Sequence, residues 1–292
     1  MRSVRRGAVL VVTAVVAVLI GAAVAVPYVL AAADDGRTYF TYPEPSVAPS
    51  EAQTASPAAS PTTAGPFLTA KPVAINTPGF WSWALLDTAT GAITGSANIA
   101  APSDTASMSK AWVAADYLRR AGEKKQKPSA VIMQRLSKMI RDSDTTYTFE
   151  FHKANGNLGS IKRMISMCGL TETTGVQNSW SLTKMSARDV ARLAACIADG
   201  RAAGPEWTGW LLGEMRAVRG PGKFGVIEIA PPAEQVAVKN GWLLRDDKQW
   251  HIACMAIGRG WTLSVMARHA GSLGKNHGAG ICRKVAEQLR SG

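Results

Sequence analysis

Ser107 and Lys110 stand three residues apart in the run ASMSKAWVAADYL at 106–118. On a helix that spacing puts a hydroxyl and an amine on one face, and Met108, Ala111, Ala115 and Leu118 supply the apolar stripe that would bury the helix's other side. A helix start carries unpaired backbone N–H groups and the positive end of the dipole. An oxyanion formed on whatever Ser107 attacks would be stabilised there, so the chemistry indicated is nucleophilic acyl transfer. One S-x-x-K pair is weak alone, because a serine at a helix start is most often a plain N-cap.

Two later pieces answer the first. Ser143-Asp144-Thr145 closes a second helical run, and Lys239-Asn240-Gly241 lies on a β-type run at 236–244. In this order they resemble the S-x-x-K, S-D-N and K-T-G motifs of the serine β-lactamase and penicillin-binding protein superfamily. The DTATG turn at 87–91, the SARD helix start at 186–189, three strands and a closing helix extend the resemblance over about 78–290. The runs VKNGWLLR and WHIACMAIG are most similar to an actinobacterial group of exported class A-like serine hydrolases.

That resemblance implies a serine hydrolase acting on β-lactams or on the D-Ala-D-Ala stem of peptidoglycan, without cofactor or metal and as a monomer. Ser107 would be the nucleophile. Lys110 would take its proton if held neutral, which burial and a second ammonium, Lys239, both favour. Ser143 would relay a proton to the leaving nitrogen, while Lys239 orients Ser143 and attracts a substrate carboxylate. Thr145, Asn240, Gly241 and Trp242 would line the substrate, and the N–H groups of Ser107 and Trp242 would form the oxyanion hole. Asp144 is expected to be structural.

The departures bear on turnover. Thr145 replaces an Asn that contacts substrate, and Asn240 replaces a hydroxyl residue. Only 35 residues separate Ser107 from Ser143, a short helical part for a class A enzyme. Before the SARD helix a class A enzyme keeps a Glu that activates the deacylating water; the segment TETTGVQNSWSLTKM offers only Glu172, and early. Acylation with slow deacylation is the expected outcome. A β-lactamase completed by Glu172, and a non-catalytic envelope scaffold on the same fold, are the alternatives.

The elements that must position these residues are legible from their periods. Residues 80–86 and 92–99 read as a hairpin around DTATG, and 236–244, 250–257 and 261–268 as an antiparallel meander. Ser129 caps a helix with Val131, Leu136 and Ile140 on its apolar face, and further helices are expected at 160–168, from Ser186 to 200, at 205–218 and around Ile281, Val285 and Leu289. In SARD, Asp189 stands where a capping box has Glu or Gln. The fold class is α+β: a five-stranded antiparallel sheet flanked by helices, plus a short all-helical subdomain.

Arg2, Arg5 and Arg6 precede a run without charge from 7 to 33, read as a membrane anchor or a cleaved export signal over 1–34. Six prolines fall in the 24 residues 43–66, so 35–77 is expected to be an extended linker ahead of a domain at 78–292. The net charge of +12 falls wholly beyond residue 70. For an exported domain that suits lipid headgroups or cell-wall polymers, with a basic surface that only keeps the domain soluble as the alternative, and no aromatic-basic interleaving points to nucleic acid. The four cysteines suggest disulfides Cys168–Cys196 and Cys254–Cys282, each joining neighbouring elements, with buried free thiols as the alternative. His251 is expected to be hydrogen-bonded and structural; His152, His269 and His277 lack metal-ligand spacing.

Overall fold

The computed structural model describes residues 65–291. The apolar run assigned as anchor or signal, and the linker as far as residue 64, lie outside the described residues. Folded packing starts earlier than the expected boundary at 78. Leu68 is buried and bridges Arg290, and the Thr69 N–H donates to Leu289 O at 2.8 Å. Phe67 faces Trp261 at 6.4 Å. Two large apolar side chains straight after Pro66 gain enough from burial to hold this stretch on the domain.

The main sheet begins with β1 (Phe80–Asp87) and β2 (Ile93–Gly95), joined through a turn in which Asp87 Oδ1 accepts the N–H groups of Ala89 and Thr90 at 2.8 and 3.1 Å. A two-residue strand β3 (Ser103–Asp104) and a 3-10 turn (Ala106–Ser109) lead into α1 (Lys110–Glu123). Three helices follow: α2 (Ala130–Arg141), α3 (Thr145–Ala154) and α4 (Leu158–Cys168). Ser129 caps α2 as expected, whereas Val131 is exposed and Met139 takes its place on the buried face. Helix α3 had no expectation. Its sequence TTYTFEFHKA is β-branched and aromatic, and it forms because Asp144 caps it, accepting the Tyr147 N–H at 2.8 Å.

The helical part is not purely helical. Strands β4 (Thr174–Val176) and β5 (Ser179–Met185) form with β3 a second, three-stranded sheet in the order β3-β5-β4. Helices α5 (Ala187–Ala198) and α6 (Pro205–Arg216) come next. Ser186 caps α5 by accepting the Asp189 N–H at 3.0 Å, but the buried Asp189 carboxylate does not complete a capping box. It accepts instead from Thr171 N, Glu172 N and Thr173 Oγ1, at 2.7 to 3.1 Å, and fixes the loop ahead of β4.

The chain then returns to the main sheet through β6 (Ala237–Val238), β7 (Gly241–Leu244), β8 (Gln249–Gly258) and β9 (Trp261–Ala270), and ends in α7 (Gly274–Leu289). The order is β2-β1-β9-β8, with β6 and β7 both on the outer side of β8. The two short strands keep one register, Val238 opposite Ala256 and Gly241 opposite Ala253, so they occupy one position of a five-position antiparallel sheet. Strands β8 and β9 are buried on both faces because α5 packs on one side and α7 on the other. One core lies under α1 around Met108, Trp112 and Leu136; the second lies under α7 around Val265, Ile281 and Val285. Cys168 is bonded to Cys196, tying α4 to α5, and Cys254 to Cys282, tying β8 to α7.

Candidate active site

Ser107 sits in the 3-10 turn and Lys110 at the first position of α1, so the α-helix starts three residues later than the spacing alone suggests. Ala106, just before the serine, is held at φ 46°, and Ser143 at φ 60°. Non-glycine residues adopt this left-handed region at a cost of about 1–3 kcal/mol, and such strain persists only where the surroundings impose it. Here it falls on Ala106, immediately before Ser107, and on Ser143, which line one cavity.

Both lysines are buried and meet at Ser143. Lys110 Nζ donates to the Ser143 carbonyl at 2.5 Å, to Ser143 Oγ at 3.4 Å and to Thr145 Oγ1 at 3.3 Å. Lys239 Nζ donates to the same Ser143 Oγ at 3.0 Å from the opposite side. With two amines donating to it, the Ser143 hydroxyl has its lone pairs engaged and its proton free to point elsewhere. Burial pulls Lys110 down to about 8, with Asp144 opposing the shift. Lys239 lies well below the ordinary lysine range, chiefly through burial and then through the charge of Lys110.

Strand β7 closes the cleft from the sheet side. The Lys239 N–H donates to Met255 O and the Arg245 N–H to Gln249 O. By the alternation of an antiparallel ladder, Gly241 and Leu243 also direct their N–H groups at β8, and Trp242 directs its N–H away from it. Gly241 permits the approach of β7 to the 3-10 turn. A Cβ there would stand 2.1 Å from Thr105 O and 2.9 Å from the Ser107 nitrogen. Ser107 and Trp242 border one opening.

The opening is a cavity of about 310 Å³ lined by Ser107, Ser143 and Thr145 on one side and Trp242 on another. Its third wall comes from residues the sequence reading did not single out. Ser179, Trp180 and Ser181 of β5 line it together with Phe149 of α3, whose ring stands edge-on to Trp180 at 4.4 Å. The Ser-x-Ser alternation on a short strand was the available signal for this wall. Trp180 also locks the nucleophile's turn, since its carbonyl accepts from Ser109 Oγ at 3.1 Å. No carboxylate lines the cavity among the described residues.

Asn240, expected to line the substrate, and Glu172, the base of the alternative reading, are placed elsewhere. Asn240 is buried and turned away from the cavity: its Nδ2 donates to Gly222 O at 2.9 Å and to Phe224 O at 2.8 Å. It pins the 222–224 loop to the strand, because alternation sends residue 240 to the face opposite Lys239. Glu172 is bound by the Arg188 guanidinium at 2.6 Å, by Ser186 Oγ at 2.9 Å and by Thr171 Oγ1 at 2.7 Å. Burial alone would raise its carboxyl, but these hydrogen bonds prevail and hold it at about 2. A carboxylate so engaged is not a water-activating base. His251 is buried beside Asp104, Nδ1 to Oδ2 3.4 Å, and Arg245 reaches the same carboxylate oxygen at 3.2 Å.

Neither a family profile nor a curated protein matches the sequence. Solved structures do match the fold. A β-lactamase from Chitinophaga pinensis is 13% identical, with TM-score 0.60, over 72% of this chain and 93% of that one. A β-lactamase from Burkholderia vietnamiensis is 14% identical, with TM-score 0.61, over 72% and 89%. A variant of the last common ancestor of Gram-negative class A β-lactamases is 17% identical, with TM-score 0.58, over 72% and 91%. At such identities the likeness is one of architecture, and on that ground the chain has the class A β-lactamase fold, the one implied by its three motifs.

Proposed function

We propose that this chain is an extracytoplasmic β-lactamase-like serine hydrolase, acylated on Ser107 by β-lactams or by the D-Ala-D-Ala stem of peptidoglycan, and slow to release the acyl group. The observation that carries this reading is the convergence of Lys110 and Lys239 on Ser143 at the floor of the cavity that Ser107 borders. Neutral Lys110 accepts the Ser107 proton as Oγ adds to the carbonyl carbon, and the N–H groups of Ser107 and Trp242 face the oxygen that gains charge. The Ser143 hydroxyl then delivers its proton to the departing nitrogen and is reprotonated from Lys110 or Lys239. In the resting site Lys110 spends its hydrogen bonds on Ser143 and Thr145, so it must release one to reach Ser107.

Slow release follows from the third wall. Hydrolysis of the ester needs a base beside water, and that wall presents two serine hydroxyls, an indole and a phenyl ring. Glu172 is committed to Arg188. Two disulfides and the arginine-flanked apolar run at 7–33 support a site outside the cytoplasm, tethered or secreted.

A scaffold reading draws on the same resting geometry, in which Lys110 engages Ser143 rather than Ser107. A chromogenic cephalosporin mixed with the full chain separates these readings. A burst of about one product per chain followed by a much slower phase is expected. Fast linear turnover would overturn the slow-release claim, and absence of any burst would favour the scaffold.

A further inference from the structure

Beyond the catalytic cavity, a second basin of about 410 Å³ opens between the 220–228 segment and the first half of α7. Its rim carries Lys223, Lys275, Arg283 and Lys284 against a single acid, Glu228. That acid is exposed at the same rim, and its Oε2 accepts the Gly225 N–H at 2.7 Å. Arg283 is engaged along its own helix by Glu287 at 3.1 Å. Lys223, Lys275 and Lys284 form no ion pair among the described residues, so three unpaired ammoniums outnumber the one carboxylate around this concavity.

One of the three is held in place. Lys275 Nζ donates to Pro221 O at 3.1 Å and lies over two rings, 5.5 Å from the centre of Phe224 and 5.4 Å from that of Trp242. A cation already fixed by a carbonyl and two rings loses little freedom when an anion docks. Like charges gathered around a concavity raise the local potential and concentrate anions. A single phosphate or carboxylate would meet one or two of these ammoniums, whereas charges repeated along a chain would meet all three at once. We propose that this basin binds a linear polyanion. Trp242 lies under Lys275 and also walls the catalytic cavity, so occupancy is reported at that indole.

The test does not use acylation, so it stands or falls apart from the hydrolase reading. The full chain is titrated with short-chain polyphosphate, followed by calorimetry and by tryptophan fluorescence. Saturable binding near one chain per site is expected, weakening steeply with salt. The triple variant Lys223→Ala, Lys275→Ala, Lys284→Ala is expected to bind at least tenfold more weakly. A control triple, Lys124→Ala, Lys125→Ala, Lys127→Ala, removes the same charge from the loop after α1 and should stay within about twofold. Trp242→Phe should lose the fluorescence change and keep the calorimetric binding. Equal weakening in both triples would reduce the effect to net charge and overturn the proposal. So would absence of binding, or binding only to vesicles of anionic phospholipid, which would assign the basin to a membrane surface.

Discussion

Lys239 Nζ donates to Ser143 Oγ at 3.0 Å although the two residues are 96 positions apart, one on the edge of the main sheet and one at the turn between α2 and α3. Lys110 reaches the same oxygen from α1. The contact joins the sheet to the helical part across the floor of the cavity, and it places the buried Lys239 where the charge of Lys110 makes it harder to protonate.

Acylation should depend on pH through Lys110. A base at about 8 is about half neutral at pH 8 and about 1% neutral at pH 6, so the acylation rate should fall about fifty-fold between pH 8 and pH 6. The same shift acts on folding. Between about 8 and the ordinary 10.5 the unfolded chain binds a proton that the folded chain does not, so stability should rise with pH across that window. Denaturant midpoints at the two ends of the window, beside Lys110→Met, check the sign: the variant should show the shallower rise.

Gly241→Ala tests the approach of β7 to the nucleophile's turn. The added methyl would overlap Thr105 O and crowd the nitrogens of Met108 and Ser107, so the strand must retreat. A loss of about 1–3 kcal/mol in stability is expected. Acylation should slow by about 10²-fold, the usual cost of spoiling one oxyanion donor. Stopped-flow acylation and thermal melting measure the two separately.

Asn240→Asp tests whether that side chain is a structural pin. It would replace a donor amide with a carboxylate facing the carbonyls of Gly222 and Phe224. The expected destabilisation is about 3 kcal/mol or more, with Asn240→Ala milder, at about 1–3 kcal/mol. A variant as stable as the parent would return Asn240 to the substrate side.

Glu172→Gln should leave the lifetime of an acyl adduct unchanged, because that carboxylate belongs to the Arg188 and Ser186 network. A lifetime lengthened by tenfold or more, followed by mass spectrometry after removal of excess β-lactam, would make Glu172 the deacylating base.

Much of this architecture was legible in the sequence because it is periodic or punctuated. The apolar runs of β8 and β9, the caps Ser129 and Ser186, and Gly169 at φ 64° after α4 each carry a local signal. The second sheet did not, since β3 has two residues and β4 three, and they exist only through pairing with β5. Helix α3 was hidden by poor intrinsic propensity that one aspartate cap overrides. At the site, the three motifs announced the serines and lysines. The direction of Asn240 was not legible, because it depends on which face of an edge strand meets the 222–224 loop.

The most direct measurement is the intact mass of the full chain after incubation with excess benzylpenicillin, beside Ser107→Ala. The account predicts one covalent adduct per chain, persisting for minutes or longer, mapped to the peptide that holds Ser107 and missing from the variant. An unmodified mass across several β-lactams, or an adduct that survives Ser107→Ala, would contradict it.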